Sequence, residues 1–363
     1  MIHFFLLFCL VAFPAVQAAA AESLFREAVP GRILTFPRDH GKHPGFRTEW
    51  WYFTGNLDSE DRKWGFQLTF FRRGLAKEPA RKGSSWAVRD IYPAHFALTD
   101  VTRGRFFHTE LMSREGPGLA GAASDNLNVY VKNWSAVGQG EAIYLKAREH
   151  NYALDLILTA EKPPVLHGDR GFSRKGDSET QASYYYSMTR LKVRGTIIFD
   201  GRIQQVTGYA WMDHEFSSGI LSADQAGWDW FSLQLDDGSE LMVFHLRKKD
   251  GTPERPFGTF VTKEGKAVDL GKQRIIINPT GTWTSPRTRG VYPSGWKIEI
   301  PEQKISLEVT HVVQDQELAT GRSTAVIYWE GAVSVKGLKD NKPVRGRGYV
   351  ELTGYAHSMA GRL

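Results

Sequence analysis

The residues best suited to chemistry fall in two short stretches, Gly208 to Phe216 (GYAWMDHEF) and Gly227 to Phe231 (GWDWF). Asp213, His214 and Glu215 are consecutive among large side chains, and Asp229 stands between Trp228 and Trp230. A carboxyl group beside apolar rings has its pKa raised by desolvation unless a cation or hydrogen-bond donor offsets it, and such an acid can work near neutral pH. Asp213, His214, Glu215 and Asp229 are therefore the candidate catalytic groups. The competing reading is structural, with His214 bridging Asp213 and Glu215 in a buried polar knot at a domain junction.

Other chemistries find less support. No G-x-S-x-G element is present, and Ser217-Ser218-Gly219 lies outside any strand-elbow-helix pattern, which argues against a serine hydrolase. His214-Glu215-Phe216-Ser217-Ser218 begins like H-E-x-x-H but ends in serine, so a zinc-protease ligand is missing. His40 and His43 beside Asp39 have metal-ligand spacing, yet a Pro- and Gly-rich segment with two histidines reads first as a loop. Neither a metal nor a cofactor is expected.

The candidate ligand contacts are aromatic: Trp50, Trp51, Tyr52, Trp211, Trp228 and Trp230, together with His95. Neighbours on a strand point to opposite faces, so one of Trp50 and Trp51 lines a cavity if the other packs elsewhere. His95 alternates with Phe96 and reads first as a hydrogen-bonded interior histidine. Tyr184, Tyr185 and Tyr186 read as barrel-rim packing, and Glu330 and Glu351 as partners for arginines, because an unpaired buried charge is costly.

These side chains need strands to position them. Phe66, Leu68 and Phe70 alternate with Gln67 and Thr69, and Tyr152, Leu154, Leu156 and Leu158 repeat the pattern. Asp200-Gly201 and Asp237-Gly238 separate strand-like runs as hairpin turns do. No long amphipathic helical pattern competes, so the chain is expected to be all-β and antiparallel. A composition of 41% hydrophobic and 24% charged residues excludes disorder and allows two cores in 363 residues.

The two halves echo each other. Trp50-Trp51-Tyr52-Phe53 matches Trp228-Asp229-Trp230-Phe231, Trp134 with its following strand matches Trp283 with its own, and the Gly208-Tyr209 strand matches Gly348-Tyr349. Three echoes in one order indicate tandem duplication. On this alignment Asp213 and His214 face Thr353 and Gly354, so the charges are absent from the second copy and suggest function in the first. Many short antiparallel strands per copy suggest two closed or nearly closed barrels, since closure removes edges. The expected organisation is a signal segment at 1–21, a leader at 22–46 and domains at 47–219 and 223–357.

The signal reading rests on the apolar run Phe4 to Val16, too short to span a bilayer and followed by small residues. Cys9, the one cysteine, lies within it, so an exported mature chain has no disulfide and depends on packed cores. No further apolar run in the mature chain is long enough to span a membrane. The net charge of +6 is spread along the chain with no nucleic-acid motif, and no nucleic-acid partner is expected.

Arg47-Thr48-Glu49-Trp50-Trp51-Tyr52-Phe53-Thr54-Gly55, preceded by Phe36-Pro37-Arg38-Asp39-His40-Gly41, resembles the opening of the AttH-like and carotenoid 1,2-hydratase-like family of predicted secreted hydrolases. The segments His95 to Asp100, Gly208 to Phe216, Gly227 to Phe231, Tyr328 to Gly331 and Gly348 to Tyr355 extend the resemblance over most of the mature chain. It implies two tandem lipocalin-like β-barrel domains and a periplasmic or secreted location. It also implies acid-catalysed, cofactor-free addition of water to an isoprenoid double bond, which needs a protonated carboxyl group, π faces for a cation and a placed water. The family's His-x-Trp element reads His214-Glu215-Phe216 here, and the hydratases' catalytic aspartate, in a later strand, is matched to no position.

Two readings stay open. One is an enzyme, a hydratase or hydrolase, acting on a hydrophobic isoprenoid or lipid molecule. The other is a non-catalytic carrier of such a molecule, accessory to an export permease. Carboxylates pointing into an apolar cavity favour the enzyme, and carboxylates paired with arginines favour the binder.

Overall fold

In the computed structural model, residues 25–75, 87–176, 181–219, 221–222, 224–271 and 273–359 are described. The signal-like segment 1–21 and Ala223 lie outside the described residues. Alternating strand patterns dominate, and no α-helix occurs among the described residues, only two 3-10 turns at Arg38–His40 and Pro301–Gln303.

The first sheet contains β1 (Thr48–Asp58), β2 (Lys63–Gly74), β3 (Asp90–Asp100), β4 (Arg105–Arg114), β5 (Ala120–Ala122), β6 (Asn128–Val131), β7 (Trp134–Gln139), β8 (Ala142–Arg148), β9 (Tyr152–Ala160), β10 (Val165–Leu166), β11 (Phe172–Arg174), β12 (Ala182–Phe199) and β13 (Arg202–Ser217). The second contains β14 (Gln225–Leu235), β15 (Glu240–Lys248), β16 (Phe257–Val261), β17 (Ala267–Asp269), β18 (Ile276–Thr284), β19 (Val291–Ile300), β20 (Ile305–His311), β21 (Glu317–Ala319), β22 (Ile327–Lys339) and β23 (Lys342–Thr353). The first runs β4-β3-β2-β1-β13-β12-β9-β8-β7-β6-β5, with β10 and β11 also on β12. The second runs β17-β16-β15-β14-β23-β22-β20-β19-β18, with β21 on β22. The sheets are antiparallel and form a near-barrel and a half-barrel.

Each sheet folds over its own core. Trp51, Phe53, Phe66, Leu68, Phe70 and Leu156 fill the first, and Phe231, Leu233, Leu241, Trp296 and Val350 the second. The opposite faces of the central strands are not solvated. Tyr52, Tyr185 and Trp211 of the first sheet pack against Trp230, Met242, Phe244, Ala332 and Tyr349 of the second. Gln67 and Thr69, outward by alternation from Phe66 and Leu68, are buried for this reason. One face of β1, β12 and β13 thus makes a core and the other makes the junction between sheets, so the polar half of the alternation becomes interior as well.

The duplication is visible in strand order: β1 lies between β2 and β13 as β14 lies between β15 and β23. The register corrects the alignment drawn from sequence. Trp50 pairs with Glu215 and Tyr52 with Asp213, while Trp230 pairs with Glu351 one rung from Trp228. With Trp50 and Trp228 equivalent, Asp213 corresponds to Glu351 and not to Thr353. The Gly-Tyr echo is out of step with the tryptophan echo by one pleat. A carboxylate therefore recurs at the Asp213 position in the second copy, so the asymmetry inferred from sequence does not hold for Asp213, whereas His214 corresponds to the uncharged Leu352.

Candidate functional site

The equivalent strands meet around a cavity of about 90 Å³ between the sheets. From the first sheet it is lined by Trp50, Tyr52, Thr69, Phe71, Tyr185, Asp213 and Glu215, with Lys175 just after β11. From the second come Trp228, Trp230, Phe244, Leu246, Tyr328 and Glu351. Trp50, Phe71 and Trp228 are half-exposed, so they form its open side. Rungs explain the composition: Trp50–Phe71 and Trp228–Leu246 are cross-strand pairs, as are Tyr52–Thr69 and Trp230–Phe244. Both copies thus contribute the same rungs to one chamber.

Among the acids that line the cavity, Asp213 accepts the most hydrogen bonds. Trp211 Nε1 donates to Oδ1 at 2.7 Å, Tyr185 Oη donates to Oδ2 at 3.0 Å, and Ser187 Oγ also donates to Oδ1. Trp230 Nε1 in turn donates to Tyr185 Oη at 3.0 Å, tying the second sheet to this group. Burial raises the Asp213 pKa more than the three donors lower it, and it stands at about 7. Glu351 is likewise pushed up to about 7, chiefly by burial, with Trp228 Nε1 donating at 3.0 Å. Glu330, opposite Glu351 across β22 and β23, is driven well above the carboxylate range by burial and by the Glu351 charge. Tyr52 Oη donates to Glu330 Oε1 at 2.5 Å, whereas Oε2 has no partner. Glu330 and Glu351 are not paired with arginines, as the sequence reading supposed. They sit on the junction face among aromatic rings, where the protonated form is favoured.

Glu215 lies 2.9 Å from Lys175 Nζ, and that ammonium also sits over the Tyr185 and Phe244 rings at 4.8 and 4.4 Å. The other two candidate groups are elsewhere. Strand alternation turns His214 to the opposite face of β13, where its ring stacks on Trp51 and Nε2 meets Glu49 Oε1 at 2.9 Å. It does not bridge Asp213 and Glu215. Asp229 faces the interior of the second sheet, bound by Arg247 Nε at 2.9 Å, His245 Nε2 at 3.1 Å and Tyr355 Oη at 3.0 Å. Burial alone would raise its pKa, but His245 and Arg247 outweigh it and hold it below the ordinary carboxylate range. Asp229 is thus an anion at neutral pH and no proton donor.

Among the aromatic candidates, Trp50, Tyr52, Trp228 and Trp230 line the cavity. Trp211 supports it from behind through Asp213. Trp51 packs in the first core and donates Nε1 to the His40 carbonyl at 2.9 Å. His95 stands behind the wall, bonded to Tyr328 Oη at 2.7 Å and Ser323 Oγ at 3.0 Å. Tyr185 and Tyr328 on the wall and Glu330 behind it were missed as site residues. Alternation puts Tyr328, Glu330 and Ala332 on the face of β22 opposite the core residue Trp329, but nothing in it shows that this second face is covered as well.

His43, Glu49 and His214 bring three potential metal-ligand atoms within 4.8 Å of one another. Glu49 already accepts from His43 Nδ1, His43 N, His214 Nε2 and Arg72 Nε. Arg72 balances its charge, so the arrangement is an ion network that fastens the leader to β1 and β13. His43 is not in a free loop, since Nε2 meets Asp39 Oδ1 at 2.9 Å and its ring stacks on Phe216 at 3.6 Å.

With this geometry in place, comparison with known proteins is direct. The AttH-like family profile matches residues 27–355. The chain belongs to the AttH-like family. A crystal structure described as AttH from Nitrosomonas europaea aligns at 38% identity and a TM-score of 0.81, covering 91% of this AttH-like chain and 100% of that one. A kievitone hydratase from Fusarium solani subsp. phaseoli is 22% identical over 212 residues, spanning 57% of the AttH-like chain and 58% of that protein. The match therefore takes in little more than half of the curated relative's length. The crystal structure of kievitone hydratase from Nectria haematococca shares the fold at 16% identity, with a TM-score of 0.68 over 92% of this chain and 98% of that one. The AttH-like protein is thus a β-barrel protein related to a hydratase.

Proposed function

We propose that this protein adds water to, or removes it from, a carbon–carbon double bond of a hydrophobic molecule of the isoprenoid or lipid class, by acid catalysis and without a cofactor. The observation that carries the reading is the cavity at the sheet junction, where Asp213 and Glu351 occupy equivalent rungs and both titrate near 7 among aromatic walls. A protonated carboxyl group held close to its pKa at working pH is the condition for general acid catalysis. The relationship to kievitone hydratase supports the same reaction class.

Asp213 is the acid in this account. After giving its proton to the alkene carbon it becomes a carboxylate, and Trp211, Tyr185 and Ser187 already donate to that carboxylate. Glu351 has a single indole donor. The carbocation formed lies among the faces of Trp50, Tyr52, Tyr185 and Trp228, whose quadrupoles favour positive charge. Water then adds to the cation and loses a proton. At about 90 Å³ the chamber has room for the reacting end of a molecule and a water. The remainder of the substrate extends past Trp50, Phe71 and Trp228.

Incubation with a pool of isoprenoid and unsaturated lipid alkenes in oxygen-18 water, followed by mass spectrometry, tests the proposal. The expected result is one class of alkene that gains a single labelled water only with active protein. A molecule that co-purifies with the protein and is returned unchanged from every incubation would favour the carrier reading.

A further inference from the structure

Behind the cavity wall, four side chains from both sheets form one hydrogen-bonded line. Tyr328 lines the cavity, its hydroxyl is 2.7 Å from His95 Nδ1, His95 Nε2 is 3.0 Å from Ser323 Oγ, and Ser323 Oγ is 2.5 Å from Glu110 Oε2. Glu110 lies on edge strand β4 beneath Arg322, whose side chain is 80% exposed. His95 and Glu110 are direct cross-strand partners, and Thr69 of the cavity wall pairs with His95 on the same rung. The line therefore leads from the interior of the junction to Glu110, a carboxylate only 6% exposed that lies just beneath the surface at the edge strand.

The direction of every bond follows from chemistry. Burial would raise the Glu110 pKa, but the Ser323 hydroxyl and the Arg322 backbone amide outweigh it, so Glu110 is ionised and can only accept. Ser323 gives its one hydrogen to Glu110 and must accept from His95 Nε2–H. Burial lowers the His95 pKa to about 3, so the ring is neutral and Nδ1 carries no hydrogen. Tyr328 keeps its proton, because burial and the nearby carboxylates raise its pKa, and donates it to Nδ1. Gln67 also bonds the Tyr328 hydroxyl, and it takes one of the two lone pairs of that oxygen.

We propose that Tyr328, His95, Ser323 and Glu110 are a proton conduit, oriented to carry a proton from the interdomain cavity to the solvent at β4. Its role in turnover rests on the hydratase reading above, but conduction itself does not. When water has added to the cation, the resulting oxonium gives its proton to Tyr328 Oη. Tyr328 passes its own proton to His95 Nδ1, His95 passes the Nε2 proton to Ser323 Oγ, and Ser323 passes its proton to Glu110 Oε2. Each member gains one bond to hydrogen and loses one. Glu110 releases the proton to solvent, and Asp213 recovers one through the open side of the cavity. A carboxylate is a sufficient terminal acceptor because a protonated alcohol is a far stronger acid than a carboxylic acid. Tyr328 is the member at the reacting atoms, and His95, Ser323 and Glu110 act through it.

The test needs no substrate. Tyrosine labelled with carbon-13 at the ζ carbon shows one averaged line in mixed light and heavy water if its hydroxyl proton exchanges fast, and two lines if exchange is slow. Tyr328, assigned by Tyr328→Phe, is expected to show one line in the wild type, two in Ser323→Ala, and one again in Ser323→Thr, which restores a hydroxyl. Glu110→Gln, which leaves Ser323 in place, is expected to slow exchange as well. Two lines in the wild type, or a single line retained in both Ser323→Ala and Glu110→Gln, would overturn the conduit. A conducting protein that hydrates no alkene would leave the conduit standing and remove only its role in turnover.

Discussion

Asp213→Asn is expected to lower turnover by about 10²- to 10⁴-fold while the protein stays folded, the range for loss of a general acid. Asparagine keeps the shape and one acceptor oxygen, which can still serve Trp211 and Ser187, but it sets an amide NH2 against the Tyr185 hydroxyl and has no transferable proton. Glu351→Gln is expected to cost far less, roughly tenfold, because Glu351 lacks the donors that stabilise Asp213 once its proton has gone. Wild-type activity should decline as pH rises through about 7, where Asp213 ionises in the folded protein. Stability moves with it. The folded pKa is raised from an ordinary 3.8 to about 7, so the unfolded chain ionises first. The contribution from protonated Asp213 is complete below pH about 4 and is lost as pH rises through about 7, by roughly 4 kcal/mol. Asp213→Asn should flatten that part of the stability profile, which urea unfolding at pH 4, 5.5 and 7 measures. Turnover within threefold of wild type would remove Asp213 as the acid.

The second large effect is structural and lies on the opposite face of the same strands. Arg72 is fully buried and donates to Glu49 at 2.9 Å, Asp90 at 2.9 Å, the His43 carbonyl at 2.9 Å and the Phe46 carbonyl at 2.5 Å. Arg72→Met leaves two buried carboxylates and two carbonyls without that donor, and a loss of about 3–5 kcal/mol is expected. Burial would raise the Glu49 pKa, yet His43, His214 and Arg72 bring it well below the ordinary value. Its contribution is therefore present above the unfolded carboxylate pKa and lost as pH falls, opposite in sign to that of Asp213. Denaturant midpoints at constant m-value measure the loss. Ligand binding per folded molecule should be unchanged, because Glu49 and Arg72 face the first core and the leader. A loss below 1 kcal/mol would contradict the network's role.

Much of the fold could be read from alternation. Phe66, Leu68 and Phe70 mark a core face, and the Trp50 and Trp228 hairpins mark equivalent strands. Alternation also separates Asp213 and Glu215 from His214, since consecutive strand residues cannot share a face. Three things were not legible, each for a physical reason. A shift of one pleat keeps every side chain on its proper face, so the Gly-Tyr echo looked in register when it was two residues off. Asp229 resembled a cavity acid because its neighbours are tryptophans, yet Arg247 and His245 come from the adjacent strand and meet it only through the β14–β15 register. The burial of Glu330 and Glu351 depends on the second sheet covering the first, and no local pattern within β22 or β23 reports that packing.

The central claim is that the junction holds carboxyl groups protonated near neutral pH. Infrared difference spectroscopy between wild type and Asp213→Asn, taken from pH 5 to 9, tests it directly through the carbonyl stretch of a protonated carboxyl group. The account predicts such a band for Asp213 at pH 5 to 6, fading with a midpoint near 7. A spectrum in which Asp213 is already a carboxylate at pH 5 would contradict it.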